Sequence, residues 1–119
     1  MAKEFGRAAR VSAQLQKELA WVIQHELSDP RLGLITVNEV ELTKDMGVAK
    51  VYITVLNADD QGKLKNVNLL NQLAPYIRSG VARRMCMRHI SKLRFHYDDS
   101  FDRGMRVAEL LSDVEINKD

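Results

Sequence analysis

The chain has 119 residues, 45% of them hydrophobic and 6% aromatic, which suits one domain built around one aliphatic core. Its formal net charge is only +2, from 18 basic and 16 acidic side chains, and a single cysteine, Cys86, excludes an intrachain disulfide. No run approaches the roughly 20 apolar residues of a membrane span. The start, Met-Ala-Lys-Glu-Phe-Gly-Arg, lacks the apolar stretch of a secretory signal, so the expectation is a cytoplasmic protein that avoids membranes.

Val11, Leu15, Leu19, Val22 and Ile23 recur at helical spacing and predict an amphipathic helix over roughly residues 8–27. Arg7, Arg10, Lys17 and Trp21 fall on a different arc of that helix. Ser28-Asp29-Pro30 ends it, because a residue before proline is pushed out of the α region. Two strands follow, over 34–42 and 48–56. In the second, Ala49, Val51, Ile53 and Val55 alternate with Lys50, Tyr52 and Thr54, the pattern of a half-buried strand. The first changes phase between Val37 and Val40, which predicts a bulge. Lys44-Asp45-Met46-Gly47 reads as the hairpin connection between the two, with Gly47 able to adopt positive φ.

After a loop over 57–62, Leu64, Val67, Leu70 and Leu73 predict a second helix that is kinked or broken at Pro75. Proline loses a backbone hydrogen bond there and clashes with the preceding turn. A further helix over about 75–88 would bury Ile77, Val81, Ala82 and Met85. Leu93, Phe95 and Tyr97 alternate as a third strand, and Val107, Leu110 and Leu111 give the tail a short helical pattern. The order α-β-β-α-kink-α-β predicts a single α+β two-layer domain, a three-stranded sheet covered by helices on one face. Residues 1–98 form that domain in this reading, and 99–119 a short, partly helical C-terminal extension.

Charge is distributed unevenly along this scaffold. Residues 61–97 hold no Asp or Glu and eight basic side chains: Lys63, Lys65, Arg78, Arg83, Arg84, Arg88, Lys92 and Arg94. Such segregation adds self-repulsion to the compact state, and a polyanionic partner, most commonly nucleic acid, accounts for it. Arg78, Arg83, Arg84 and Arg88 crowd one helix with side chains suited to bidentate phosphate contact. Lys92 and Arg94 would extend that surface along the third strand, and Arg7 and Arg10, beside Lys17 and Trp21, would form a lesser one. The four helix arginines are expected to share one continuous face without carboxylate partners. On that expectation, Arg78→Ala with Arg84→Ala weakens binding and leaves thermal stability nearly intact.

The chain resembles the ribosome-binding factor A family in several blocks. Arg7-Ala8-Ala9-Arg10-Val11 resembles the family's Arg-x-x-Arg-Val start, and Ser28-Asp29-Pro30-Arg31-Leu32-Gly33 its junction before the first strand. Ala49-Lys50-Val51-Tyr52-Ile53-Thr54 is similar to its second strand, and Ile77-Arg78-Ser79 to the start of its third helix. Tyr97-Asp98-Asp99-Ser100 with Gly104-Met105-Arg106 resembles its C-terminal signature. The resemblance implies a type-II KH-like domain that binds the free, immature 30S ribosomal subunit and 16S rRNA, assists late maturation including 5′-end processing, and supports growth in the cold. It adds Arg31, Arg103 and Arg106 to the candidate RNA-binding residues. Ordinary KH domains clamp the backbone with a Gly-x-x-Gly loop; this family carries a kink, typically Ala-x-Gly, where this chain has Leu73-Ala74-Pro75. Gly80 stands where a larger apolar residue is expected, and should loosen its helix by about 1 kcal/mol relative to alanine.

Other chemistry is weakly supported by the residues. His25, His89 and His96 are scattered and no Cys/His pair has ligand spacing, so no metal or cofactor is expected. Asp98, Asp99 and Asp102 could suggest an acid/base site, but capping of the tail helix by Asp99 or Ser100 is the simpler reading. The expectation is a monomeric, non-enzymatic assembly factor. The alternative is a KH-like module for single-stranded RNA or DNA that is not dedicated to the ribosome.

Overall fold

The structure, a computed structural model, describes residues 2–87 and 89–99. Helix α1 (Ala2–His25) is followed by strands β1 (Ile35–Leu42) and β2 (Val48–Val55), helix α2 (Asp60–Met85) and strand β3 (Lys92–Tyr97). The sheet order is β1-β2-β3. β1 and β2 pair antiparallel through a tight connection, whereas β2 and β3 are parallel. Parallel neighbours need a crossover, and α2 supplies it. This is the α+β, type-II KH-like arrangement expected, with β2 at the centre.

β2 shows why the sheet has one wet and one dry face. Ala49, Val51 and Ile53 are fully buried and Val55 is nearly so, while Lys50, Tyr52 and Thr54 between them are only half-buried. Leu15, Leu19, Val22 and Ile23 of α1 and Leu70, Ile77 and Val81 of α2 meet the dry face, joined by Leu93 and Phe95 of β3. The bulge expected in β1 falls at Asn38, where the pairing register slips between Val37 and Glu39. That slip returns Val40 to the core after Val37, so both valines are buried.

Three expectations are corrected. The residue with positive φ in the β1–β2 connection is Met46 (φ 59°), and Gly47 stays outside that region. Asp45 organises the turn from its own side chain, accepting from the Gly47 N–H at 2.9 Å and the Thr43 hydroxyl at 2.8 Å. The helices foreseen on either side of Pro75 form one 26-residue helix. Its buried line runs Asn66, Leu70, Ala74, Ile77 and Val81, an i+3/i+4 stripe that keeps phase through the proline. Burial on both sides offsets the bond that Pro75 cannot donate to Asn71. Leu64 is 62% exposed, because strict three-residue spacing drifts off a helical stripe.

Two side-chain amides fasten α2 to the rest of the domain. Asn66, buried, accepts from the Gly33 N–H at 2.8 Å and donates to the Gly62 carbonyl at 2.7 Å. This docks the junction before β1 onto α2. Space there is closed: a Cβ on Gly33 would lie 2.8 Å from Val55 Cγ1. Asn71 does for the free edge of β3 what another strand would, accepting from the Phe95 N–H at 2.8 Å and donating to the Phe95 carbonyl at 3.0 Å. Among the described residues, no helix is long and apolar enough to cross a membrane.

Candidate nucleic-acid interface

The arginines of α2 point in different directions and have structural partners. Arg84 reaches α1, where its Nε donates to Glu18 and its guanidinium lies 3.7 Å from the Trp21 ring centroid. Trp21 in turn stacks on His25 at 4.5 Å. Arg83, exposed, lies 3.7 Å from the buried Glu26 Oε2 across the same seam, a loose pair beyond hydrogen-bond distance. Arg78 turns the other way and donates from Nε to the Ile90 carbonyl at 2.8 Å, bracing the segment that leads into β3. Ser91 fixes that segment again through a 2.6 Å bond to the Met46 carbonyl. The single arginine face expected on this helix is thus divided between a helix seam and a loop brace.

The consequence for stability is also a correction. Arg84→Ala removes a cation–π contact and a partly shielded ion pair, and should lower stability by roughly 1–2 kcal/mol. Thermal denaturation followed by the fluorescence of Trp21, the one tryptophan of the chain, reads this directly. A melting midpoint unchanged from that of the unmodified protein would mean the seam does not depend on Arg84.

Arg31 is likewise engaged. Its guanidinium forks onto Asp29 at 3.0 and 2.6 Å, and the Asp29 carboxylate also accepts from the Arg31 backbone N–H at 2.9 Å. The Arg31 side chain, then its backbone N–H, holds the Asp29 carboxyl down at about 2. A depressed carboxyl keeps its contact above its ordinary value and loses it only as pH falls toward about 2, so the fork is intact at neutral pH. Arg31 also borders an open groove with Glu26, Pro30, Leu73 and Tyr76, beside Pro75. Arg7 and Arg10 are exposed on α1. Arg88, Arg103 and Arg106, and the tail pattern at Val107, Leu110 and Leu111, lie outside the described residues.

A different set of cations is free. The solvent face of the sheet carries Lys92, Arg94 and His96 on β3, Lys50, Tyr52 and Thr54 on β2, and Glu39 and Glu41 on β1. Parallel register sets Lys50 opposite Arg94 and Tyr52 opposite His96. The Tyr52 and His96 rings lie 5.7 Å apart at 32°. Among the described residues, no carboxylate lies within ion-pair distance of Lys50, Lys92 or Arg94. Like charges set opposite one another on adjacent strands oppose folding, so Arg94 beside Lys50 is not explained by stability, whereas Lys50 has Glu41 as its opposite-charge neighbour on β1.

The face is polarised, basic along β3 and β2 and acidic along β1. Desolvation, then the Glu41 carboxylate that accepts from the Tyr52 hydroxyl at 3.4 Å, pushes the Tyr52 phenol up and keeps it neutral. Asp98 accepts from the Asn38 amide at 2.9 Å at the far end of β3. Among the described residues, no group of three His, Cys, Asp or Glu side chains could hold a metal ion. Charge counting along the chain includes Lys92 and Arg94 of this face and leaves out Lys50, Tyr52 and His96. The alternation of β2 had already put Lys50 and Tyr52 on its wet side; what it lacked was the β3 register that seats them beside Arg94 and His96.

Comparison with known proteins identifies the frame around this face. The family model for ribosome-binding factor A matches residues 7–111. The ribosome-binding factor A of Shewanella frigidimarina is 46% identical over 119 residues, all of this chain and 82% of that relative. The crystal structure of ribosome-binding factor A from Thermus thermophilus superposes with a TM-score of 0.63 at 34% identity, over 76% of this chain and 94% of that one. A homology model of the Thermus thermophilus factor, fitted into a cryo-electron microscopy map of its 30S complex, gives 0.62 at 33% identity, over 76% and 93%.

Proposed function

Since the chain belongs to the ribosome-binding factor A family, we propose that it is an assembly factor that docks on the immature 30S subunit and contacts 16S rRNA. It acts without turnover, as a cytoplasmic monomer, and leaves when the subunit is mature. Binding shifts an RNA folding equilibrium only by the difference in affinity for the two RNA states. A factor that favours one rRNA arrangement would present the 5′ end of 16S rRNA for processing. It would matter most in the cold, where misfolded RNA persists longest.

The observation that carries this reading is the cluster of Lys50, half-buried, with Lys92 and Arg94, exposed, on adjacent strands of one sheet face, none of them ion-paired with a carboxylate among the described residues. Relatedness to a factor fitted into a map of its 30S complex supports the choice of partner. Arg78, Arg31, Arg7 and Arg10 would extend the contact from the periphery, with Arg83 at the end of α2, and with Arg88, Arg103 and Arg106, which lie outside the described residues.

The test is a salt titration of binding to purified 30S subunits. If about six phosphates are neutralised, the logarithm of affinity should fall against the logarithm of salt with a slope near −4 to −5. A slope near zero would defeat the electrostatic reading. In a sucrose gradient the full chain should travel with free 30S particles and not with 70S ribosomes.

A further inference from the structure

We propose that the open face of the sheet is a base-stacking platform for an unpaired RNA strand, with Tyr52 and His96 as the stacking rings and Lys50, Lys92 and Arg94 as the phosphate contacts. The proposal rests on the reading that the chain binds RNA, and adds which RNA and by which face. It places the contact away from the Ala74–Pro75 segment of α2, where a KH-like fold would ordinarily be searched for its nucleic-acid groove.

Three features of the face carry it. First, Tyr52 and His96 are neighbours across the β2–β3 register with rings 5.7 Å apart, on the side of the sheet that α1 and α2 leave uncovered. An aromatic pair on the wet side adds nothing to the core, and it offers ring faces of the kind on which bases stack. Second, the cations line up at strand spacing toward one end of the ring pair. Lys50 precedes Tyr52 by two residues, and Lys92 and Arg94 precede His96 by four and two, so phosphate contacts lie along the same strands as the rings. Third, Glu39 and Glu41 form an acidic border on β1. A polyanion is repelled from that side and confined to the track along β2 and β3.

The chemistry selects single strands. In a duplex each base face is already covered by its neighbours, so Tyr52 and His96 would gain nothing and only the phosphate contacts would remain. In an unpaired segment both terms operate. The phenol of Tyr52 stays neutral and therefore does not repel the backbone beside it.

Fluorescence anisotropy of the full chain with a labelled uridine oligoribonucleotide, and with an RNA duplex of the same length, tests the proposal. Tyr52→Thr, which keeps a strand-forming residue, should weaken the single-strand complex roughly tenfold, the value of one stacked base. His96→Thr should weaken it in the same direction. Tyr52→Phe, which retains the ring, should bind as the native chain does, and duplex binding should be unchanged in all three. Native-like oligouridine binding by Tyr52→Thr, or an equal loss on the duplex, would overturn the platform. If the native chain bound 30S subunits with the expected salt slope but ignored oligouridine, the platform would fail and the ribosomal reading would stand. Failure to bind either would end both.

Discussion

Arg94→Glu should weaken 30S binding by roughly 30-fold while leaving the melting midpoint unchanged or slightly raised. A single charge near a phosphate is worth about 1 kcal/mol in water, and reversal both removes that attraction and adds a repulsion of similar size. Adding Lys92→Glu should bring the loss to between a hundredfold and a thousandfold on the same arithmetic. The stability arm makes the experiment discriminating. Arg94 faces Lys50 across the parallel register, so a carboxylate at position 94 would turn a repulsive pair into an attractive one worth roughly 0.2–1 kcal/mol. Opposite movements of binding and stability are the mark of a charge kept for a partner. A variant that lost both together would show that Arg94 holds the fold, and one that bound 30S subunits normally would remove β3 from the interface.

The contrast with α2 explains what could be read from the chain in advance. The alternation of β2 and the phase slip of β1 were readable because a strand's burial is encoded every second residue, within its own span. The continuity of α2 was not, because the rule that proline breaks helices is local. What overrides it here is distant packing of Leu70 and Ala74 before Pro75 and of Ile77 and Val81 after it. The same asymmetry governs the interface. A stretch without Asp or Glu counts as basic along the sequence, yet whether a cation is free depends on carboxylates brought in from elsewhere. Glu18, 66 positions from Arg84, takes that arginine out of the free set. Lys50 lies outside the acid-free stretch altogether and joins Arg94 only through the crossover. Charge counting therefore marks a basic stretch but does not say which of its cations carry carboxylate partners in the fold.

Gly80 supplies the strongest expected effect on stability, and reverses the reading that a larger residue belongs there. A Cβ at this position would lie 2.5 Å from Glu26 Oε2 and 3.2 Å from Val22 Cγ1, so α1 crosses α2 where no side chain intervenes. Gly80→Ala should change little. The Glu26 carboxylate is the end of a flexible side chain and can move aside, and the gain in helix propensity of about 1 kcal/mol offsets the pressure on Val22. Gly80→Leu gains nearly as much propensity but has to part the helices, and should cost a net 2 kcal/mol or so, with the melting midpoint lower by roughly 8–15 °C. Because the clash is with Val22, Val22→Ala introduced together with Gly80→Leu should cost about 1 kcal/mol less than the two single changes added. A Gly80→Leu protein that melted at or above the native midpoint would show the seam to be open. Strict additivity of the pair would show that the glycine yields to something other than Val22. Either result would matter for the interface as well, since the seam fixes α1 on α2, α2 holds β3 through Asn71, and β3 carries Lys92 and Arg94 to the open face.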